Sequence, residues 1–519
     1  MGSTCVLAED SYKITINRES TDKSAHTYGA YQIFKGDLDI KTTGEGTSAV
    51  TTKTLSNIQW GDNVNSSSVI TELKKISAFT SLANDASAAT VAKAISDAAM
   101  GADSAEAQVL ADALNAALNN SSPKGTATIA ANATQGTISD LVPGYYLVKD
   151  IATVTGEGAQ TRYILQVVDN VTVTEKASVP SVSKKVKEKN DTTGSETGWQ
   201  DAADYDIGDP VPFQLTGTLP STFADYDTYK VYTFTDTLSA GLSAPSTDDI
   251  TIKVGDTSVK DHFDITITGD AKAEQTIKIS LKNGEDLKKW TAPTLSATST
   301  IVVEYSAVLN DAAVIGTPGN PNKVTLDFTN NPNGEQNGEY GTTPEDKVVV
   351  FTYEIKALKV EADGNAKTQA EYDALSDTEK AEYVKVGDKW QKTKELSGAG
   401  FTLYKKVPTT VDASGYKAVG TEVKGVTTFE FKGTDAGEYK LVETTVPAGY
   451  NKADDQPISV ALSDVTGETL TLEKTANVIN MAGSTLPSTG GMGTTIFYAI
   501  GAILVIGAGV VLVSRRRAN

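Results

Sequence analysis

An all-β protein built of tandem β-sandwiches is the fold this sequence predicts, on two observations. Short alternating or β-branched runs recur along the chain, among them YKITI (12–16), RYILQVV (162–168), TSTIVVEYSAVL (298–309) and DKVVVFTYEI (346–355), and clusters of Gly, Asn, Asp and Pro separate them. At 519 residues the chain is also too long for one hydrophobic core, so the runs divide among three or four domains. Alternation of this kind buries every second side chain, which suits sheets packed face to face.

One segment departs from the pattern. From about Ser67 to Asn120 the chain is rich in alanine, with Ile70, Leu73, Ile76 and Phe79, and then Leu110, Leu114 and Leu118, at helical spacing. Two or three short helices are expected there, as an insertion that covers a sheet edge or shields a loop. A smaller helical excursion, TQAEYDALSDTEKAEY, falls at 368–383. Proline and lysine punctuate the joints, in VTVTEKASVPSVSKKVKEKND and in NPNGEQNGEYGTTPEDK, and set boundaries near 178 and 348. The expected divisions are a replaced or truncated leader at 1–8, with Ala8 at its small-residue end, then domains at 9–178, 179–348 and 349–485, and a tail at 486–519.

Composition narrows the function. Lys plus Arg number 46 against 66 for Asp plus Glu, a balance of −20 that argues against nucleic acid and anionic membrane surfaces as partners. Cys5 is the sole cysteine, so no internal disulfide can staple the domains. The two histidines, His26 and His262, lie far apart, and no HExxH, CxxC, GxSxG or phosphate-cradling loop occurs. No enzymatic activity, cofactor or metal site is expected, although acidic loops such as STDDI (246–250) offer weak calcium ligands.

The tail carries the most specific signal. Ile496 to Val513 is a run of eighteen uncharged residues, long enough as a transmembrane helix to cross a hydrocarbon core, and Arg515, Arg516 and Arg517 follow as a cytoplasmic stop. Everything before residue 486 is then outside the cell. LPSTG (486–490) directly before such a helix resembles the cell-wall sorting signal of Gram-positive surface proteins. That resemblance implies a sortase whose cysteine recognises Leu486 and Pro487, cleaves between Thr489 and Gly490, and holds Thr489 as an acyl-enzyme until an amine resolves it.

A wider resemblance covers nearly the whole chain. LSGAGFTLYKK (396–406) with GEYKLVETTVPAGY (437–450) is similar to the collagen-adhesin B-type (CNA-B) sandwich and its pilin E-box, through Tyr439, Leu441, Glu443, Pro447, Gly449 and Tyr450. YDIGDPVPFQLTGTLP (205–220), YTFTDTLSAGL (232–242) and GNPNKVTLDFTNNPN (319–333) resemble the middle domain of shaft pilins; TYGAYQIFKGDL (27–38) and LVPGYYLVKD (141–150) resemble their first. The chain is thus identified as similar to the major, or backbone, pilins of sortase-assembled pili, with immunoglobulin-like domains.

In that family a Lys to Asn isopeptide bond, assisted by an acid, locks a sandwich internally. The chemistry suits an apolar core, because desolvation favours a neutral, nucleophilic amine and a protonated carboxyl. Carried over by motif, the third-domain set is Lys359, Glu443 and Asn480, with Asn477 as the competing amide. Period two supports Lys359, which shares a strand face with Ile355 and Ala357 while Lys356 takes the other. The middle-domain set is Lys184, Asp236 and Asn322, with Asn320 and Asn330 competing; Lys184 shares its face with Val182 and Val186, and Lys185 points away.

The resemblance also implies an intersubunit lysine near the end of the first domain. Lys176 occupies that place, although Thr174 and Glu175 replace the family's aromatic and proline, and Lys149, Lys184 and Lys185 are rivals. The expected partners are identical subunits, pilin-class and housekeeping sortases, ancillary pilins and peptidoglycan. The alternative is a wall-anchored adhesin that is never polymerised, or a basal or tip pilin.

Overall fold

The computed structural model describes residues 11–483, apart from short stretches at 19–20, 44–49, 63, 102–103, 119–121, 152–153, 155, 162, 168–169, 334–339 and 462–472. The leader with Cys5, the sorting signal Leu486 to Gly490 and the transmembrane run lie outside the described residues. Among the described residues no helix is long and apolar enough to cross a membrane. Strands dominate and group into three bodies, each with its own core.

In the first body, strands Val50–Trp60, His26–Thr43, Gly144–Asp150 and Ile164–Val167 lie in that order, with Gly125–Ile129 paired to the His26 strand. Against them packs a sheet of Gln135–Leu141, Tyr12–Asn17 and Val171–Thr174. Alternation sorts the side chains: Tyr28, Ala30, Tyr146 and Val148 face the second sheet, while Tyr31, Ile33 and Leu147 face the other way. That outer face is apolar and needs its own cover. It is supplied by α1 (Ser66–Leu73), α2 (Ala88–Asp97) and α3 (Ala105–Ala117), which bury Ile70, Leu73, Val91, Leu110 and Leu114 against it. The insertion therefore forms a third layer over a sheet face, where the sequence suggested an edge or a loop. Asn65, Ser87 and Ser104 cap the three helices by accepting from the backbone N–H groups of Ser68, Thr90 and Ala107.

The middle body is a sandwich of a larger sheet, containing Ala202–Asp204, Asp346–Phe351, Asn320–Phe328, Tyr232–Leu238, Gln275–Leu281 and Phe263–Thr268, on one containing Thr251–Val254, Thr300–Leu309, Pro210–Thr218 and Val182–Val186. DKVVVFTYEI breaks in two at buried Thr352, whose hydroxyl donates to the Thr434 carbonyl. Its first half stays in the middle sheet, so residue 348 lies inside a strand. Its second half, Tyr353–Ala362, opens the third body, where it pairs antiparallel with Thr428–Thr434 and parallel with Glu473–Asn480. The facing sheet is Tyr416–Lys424, Gly400–Lys406, Gly437–Thr445 and Gln456–Val460. The excursion at 368–383 folds as α4 (Gln369–Asp373) and α5 (Asp377–Lys380), each opened by a capping box, from Thr368 with Glu371 and from Ser376 with Glu379.

Two polar junctions join the bodies. Between the first and middle bodies, Asn330 donates to the Val154 carbonyl at 3.0 Å, and Asp22 accepts from the Ala159 N–H at 2.8 Å. Between the middle and third, the buried ammonium of Lys405 pairs with Asp191 and Asp206 at 2.7 Å and with Asp435 at 2.5 Å. Close contact there requires a glycine: Gly433 has φ +80°, and a Cβ at that position would lie 2.4 Å from Ile207.

His26 ties the first body to the first junction. Its ring meets Asp150 at 2.6 Å through Nδ1, and Asp22 at 3.2 Å through Nε2, with no solvent exposure of the imidazole. Burial disfavours the imidazolium, but hydrogen bonds to Asp150 and Asp22 and their charges overcome it, raising His26 to about 9. A pKa raised from its unfolded value of 6.5 stabilises the fold fully below pH 6.5, and the gain is lost as pH rises through 9. The gain at neutral pH is about 3 kcal/mol. Calorimetry should show the first-body transition falling between pH 6.5 and 10, and a His26→Gln variant should be less stable at neutral pH and flat across that range.

Candidate functional site

Two clusters in the sandwich cores unite the residues singled out by motif. In the third body Lys359, on the opening strand, is fully buried beside Asn480 on the last strand, its parallel neighbour. The Lys359 amine donates to Asn480 Oδ1 at 2.7 Å and to the Val478 carbonyl at 2.9 Å. Asn480 Nδ2 donates to Glu443 Oε1 at 2.9 Å, and the other Glu443 oxygen is fixed by the Ala453 N–H at 2.7 Å. Glu443 comes from the opposite sheet, with its carboxylate 3.9 Å from the amine. Burial lowers the Lys359 amine to about 8 against the pull of Glu443. Asn477, adjacent to buried Val478 and so on the strand's other face, is exposed, whereas Asn480 is 1% exposed.

In the middle body Lys184, Asp236 and Asn322 are all at 0% exposure. The Lys184 amine lies 2.5 Å from Asp236 Oδ1, across the interface between the two sheets. Burial holds the amine below its ordinary range and lifts Asp236 above the usual carboxylate range, each against the attraction of the other. A neutral amine beside a neutral acid is the form such a core favours, since separated charges there would lose their hydration. Phe213 and Tyr305 present ring faces to the amine.

Tyr305 was not singled out from the sequence. Its hydroxyl donates to Asp236 Oδ2, accepts from Asn322 Nδ2 at 2.7 Å, and lies 3.3 Å from the Lys184 amine. The amine thus reaches the amide through the phenol, whereas in the third body it touches the amide directly. Asn322 Oδ1 is buried without a hydrogen-bond partner, an acceptor left open in the core. The available signal was parity: Tyr305 shares an inward face with Ile301, Val303, Ala307 and Leu309, so its hydroxyl had to find a partner.

The competing amides have structural work elsewhere. Asn320 accepts from the Val314 N–H and donates to the Val314 and Val350 carbonyls, and Asn330 belongs to the first junction. Lys185 pairs with Asp201 at 2.5 Å on the surface. Lys176 follows the strand Val171–Thr174 and is half-buried. Asp191, Asp206 and Asp209 bring carboxylate oxygens within 4.8 Å of one another, but Lys405 already neutralises the first two. In STDDI the Thr247 and Asp248 carbonyls accept from the Lys260 amine at 2.8 and 3.0 Å.

Two sandwiches in tandem, each with a lysine, an asparagine and an acid buried together in its core, and a tail that carries a wall-anchor motif define a structural surface protein. Three family descriptions match in succession: Gram-positive pilin backbone subunit 2, Cna-B-like domain, at 207–332; the SpaA prealbumin-like fold domain at 382–476; and the LPXTG cell wall anchor motif at 481–519. The trypsin-resistant surface T6 protein of Streptococcus pyogenes serotype M6 is 28% identical over 392 residues, 66% of this chain and 70% of that one. Fimbrial subunit type 2 of Actinomyces naeslundii is 28% identical over 333 residues, 60% of this chain and 58% of its own length. Among solved structures, the T6 backbone pilin of S. pyogenes aligns over 88% of this chain and 81% of its own, with TM-score 0.49 and 19% identity. The major pilin SpaD of Corynebacterium diphtheriae aligns over 93% and 100%, with TM-score 0.48 and 14% identity. The chain carries a Cna-B-like pilin backbone domain and a cell-wall anchor motif, and is a structural subunit of a cell-wall-anchored surface pilus.

Tyr305→Phe removes the hydroxyl shared by Asp236 and Asn322. Leaving those groups buried without it should destabilise the uncross-linked middle body by about 1–3 kcal/mol. It should also slow any reaction between Lys184 and Asn322, read by peptide mapping against wild type prepared in parallel.

Proposed function

We propose that this subunit is joined covalently to its neighbours and is locked internally by isopeptide bonds Lys184–Asn322 and Lys359–Asn480, within domains divided near 178 and 348. The observation that carries the reading is the third-body contact, in which a buried amine sits 2.7 Å from an amide whose nitrogen is already held by Glu443.

The neutral amine attacks Asn480 Cγ. A C–N bond forms, the bond from Cγ to Nδ2 breaks, and ammonia leaves, with Glu443 relaying the proton from the amine to the departing nitrogen. Contact in a rigid core supplies the effective concentration that replaces an external catalyst. Asp236 plays the same part in the middle body, where burial raises it above the usual carboxylate range against the attraction of Lys184. Each bond closes a loop, of 121 residues in the third body, and restricts the unfolded chain by about 5 kcal/mol on a chain-entropy estimate.

Between subunits, a sortase takes Thr489 as a thioester and releases the chain from Gly490. Lys176 of the next subunit resolves the thioester, and the final subunit passes to peptidoglycan. Among its rivals, Lys184 is enclosed in a core, out of reach of a sortase-bound thioester.

Peptide mapping should recover linked peptides joining 184 to 322 and 359 to 480, each lighter by one ammonia; unlinked peptides at both sites sink the internal reading. With Lys359 at about 8, the third-body bond should form faster as pH rises through 8, because more of the amine is then neutral. Time-resolved mass spectrometry after rapid refolding would measure that rate. In cells carrying the partner sortase, wall extracts should show a high-mass ladder that Lys176→Ala collapses to monomer. A ladder that survives places the nucleophile on another lysine, and monomer from both chains favours a singly anchored adhesin.

A further inference from the structure

The first body contains a third grouping of the same chemical types, outside the two residue sets carried over by motif. Lys149 lies on the strand Gly144–Asp150, two residues after Leu147, and so on the face that the helical layer covers. Its amine donates to Asn115 Oδ1 at 2.7 Å, the same separation as between Lys359 and Asn480. Asn115 is on α3 and 9% exposed. Its Nδ2 donates to the hydroxyl of Tyr163 at 2.7 Å, as Asn322 Nδ2 does to Tyr305. One turn earlier on α3, Asp112 occupies the same helix face, with Oδ1 shielded from solvent. The amine also stands over the Tyr31 ring at 5.0 Å. Lysine, asparagine and tyrosine thus meet here in direct contact, with an acid one turn away on the same helix.

We propose that Lys149 and Asn115 form a third isopeptide bond, which staples the inserted helix α3 to the sheet beneath it. The proposal rests on the cross-linking chemistry put forward for the other two bodies. Lys149 Nζ bonds to Asn115 Cγ, the Cγ to Nδ2 bond breaks, and ammonia leaves. Asp112 takes the amine proton and returns it to the departing nitrogen, and Tyr163 holds that nitrogen out of the amine's path. The link differs in topology from the other two: it joins a helix to a strand, across a sequence separation of 34 residues, and binds the outer layer to the sandwich. It also removes Lys149 from the candidates for intersubunit nucleophile.

The test is the intact mass of the denatured full chain, followed by mapping of linked peptides. Loss of three ammonia molecules, with a linked peptide containing residues 115 and 149, is the expected result. Loss of only two, with links at 184–322 and 359–480, overturns this proposal and leaves the parent reading standing. A chain with no loss at all overturns both. Asp112→Asn, which preserves shape and helix packing, should regain one ammonia in mass while the other two links persist; a variant still linked at 115–149 removes Asp112 from the assisting role.

Discussion

The structure depends on lysines held in cores that cannot keep them charged. An ammonium with no access to water costs several kcal/mol unless its environment compensates, and burial in both sandwiches shifts the amine toward its neutral form. At Lys184 burial among Phe213 and Tyr305 holds the amine below its ordinary range against the attraction of Asp236, and at Lys359 burial outweighs the attraction of Glu443. The feature that would destabilise an ordinary core is the one that makes the amine nucleophilic.

The strand geometry turns that chemistry into mechanics. In the third body the first and last strands are parallel neighbours, so force applied at the two ends of the domain would shear their hydrogen bonds. A bond from Lys359 to Asn480 spans that pair directly. In the middle body Lys184 and Asn322 come from opposite sheets, and a bond between them would clamp the sandwich through its thickness. The two placements resist different modes of opening.

Much of this was legible in the sequence, because side-chain parity along a strand is a local property. Lys184 against Lys185, and Lys359 against Lys356, followed from period two alone, and both inward residues are fully buried. Asn480 over Asn477 followed from spacing to the tail motif. Tyr305 was not reached, because its role arises from where three strands of two sheets converge. Lys149 and Asn115 were missed for a similar reason: a helix and a strand remote in sequence meet only once the outer face of the sheet needs cover. The break at Thr352 was hidden inside a continuous apolar run, since nothing local says that one strand ends in one body and the next begins another.

The junction around Lys405 has a consequence for the assembled fibre. Each body packs around its own core, so deformation concentrates where one body meets the next. That joint holds a buried ammonium among Asp191, Asp206 and Asp435. Buried pairs are screened far less by salt than exposed ones. The ionic contacts at this joint therefore weaken little as salt rises, and hold in fresh water and in saline alike.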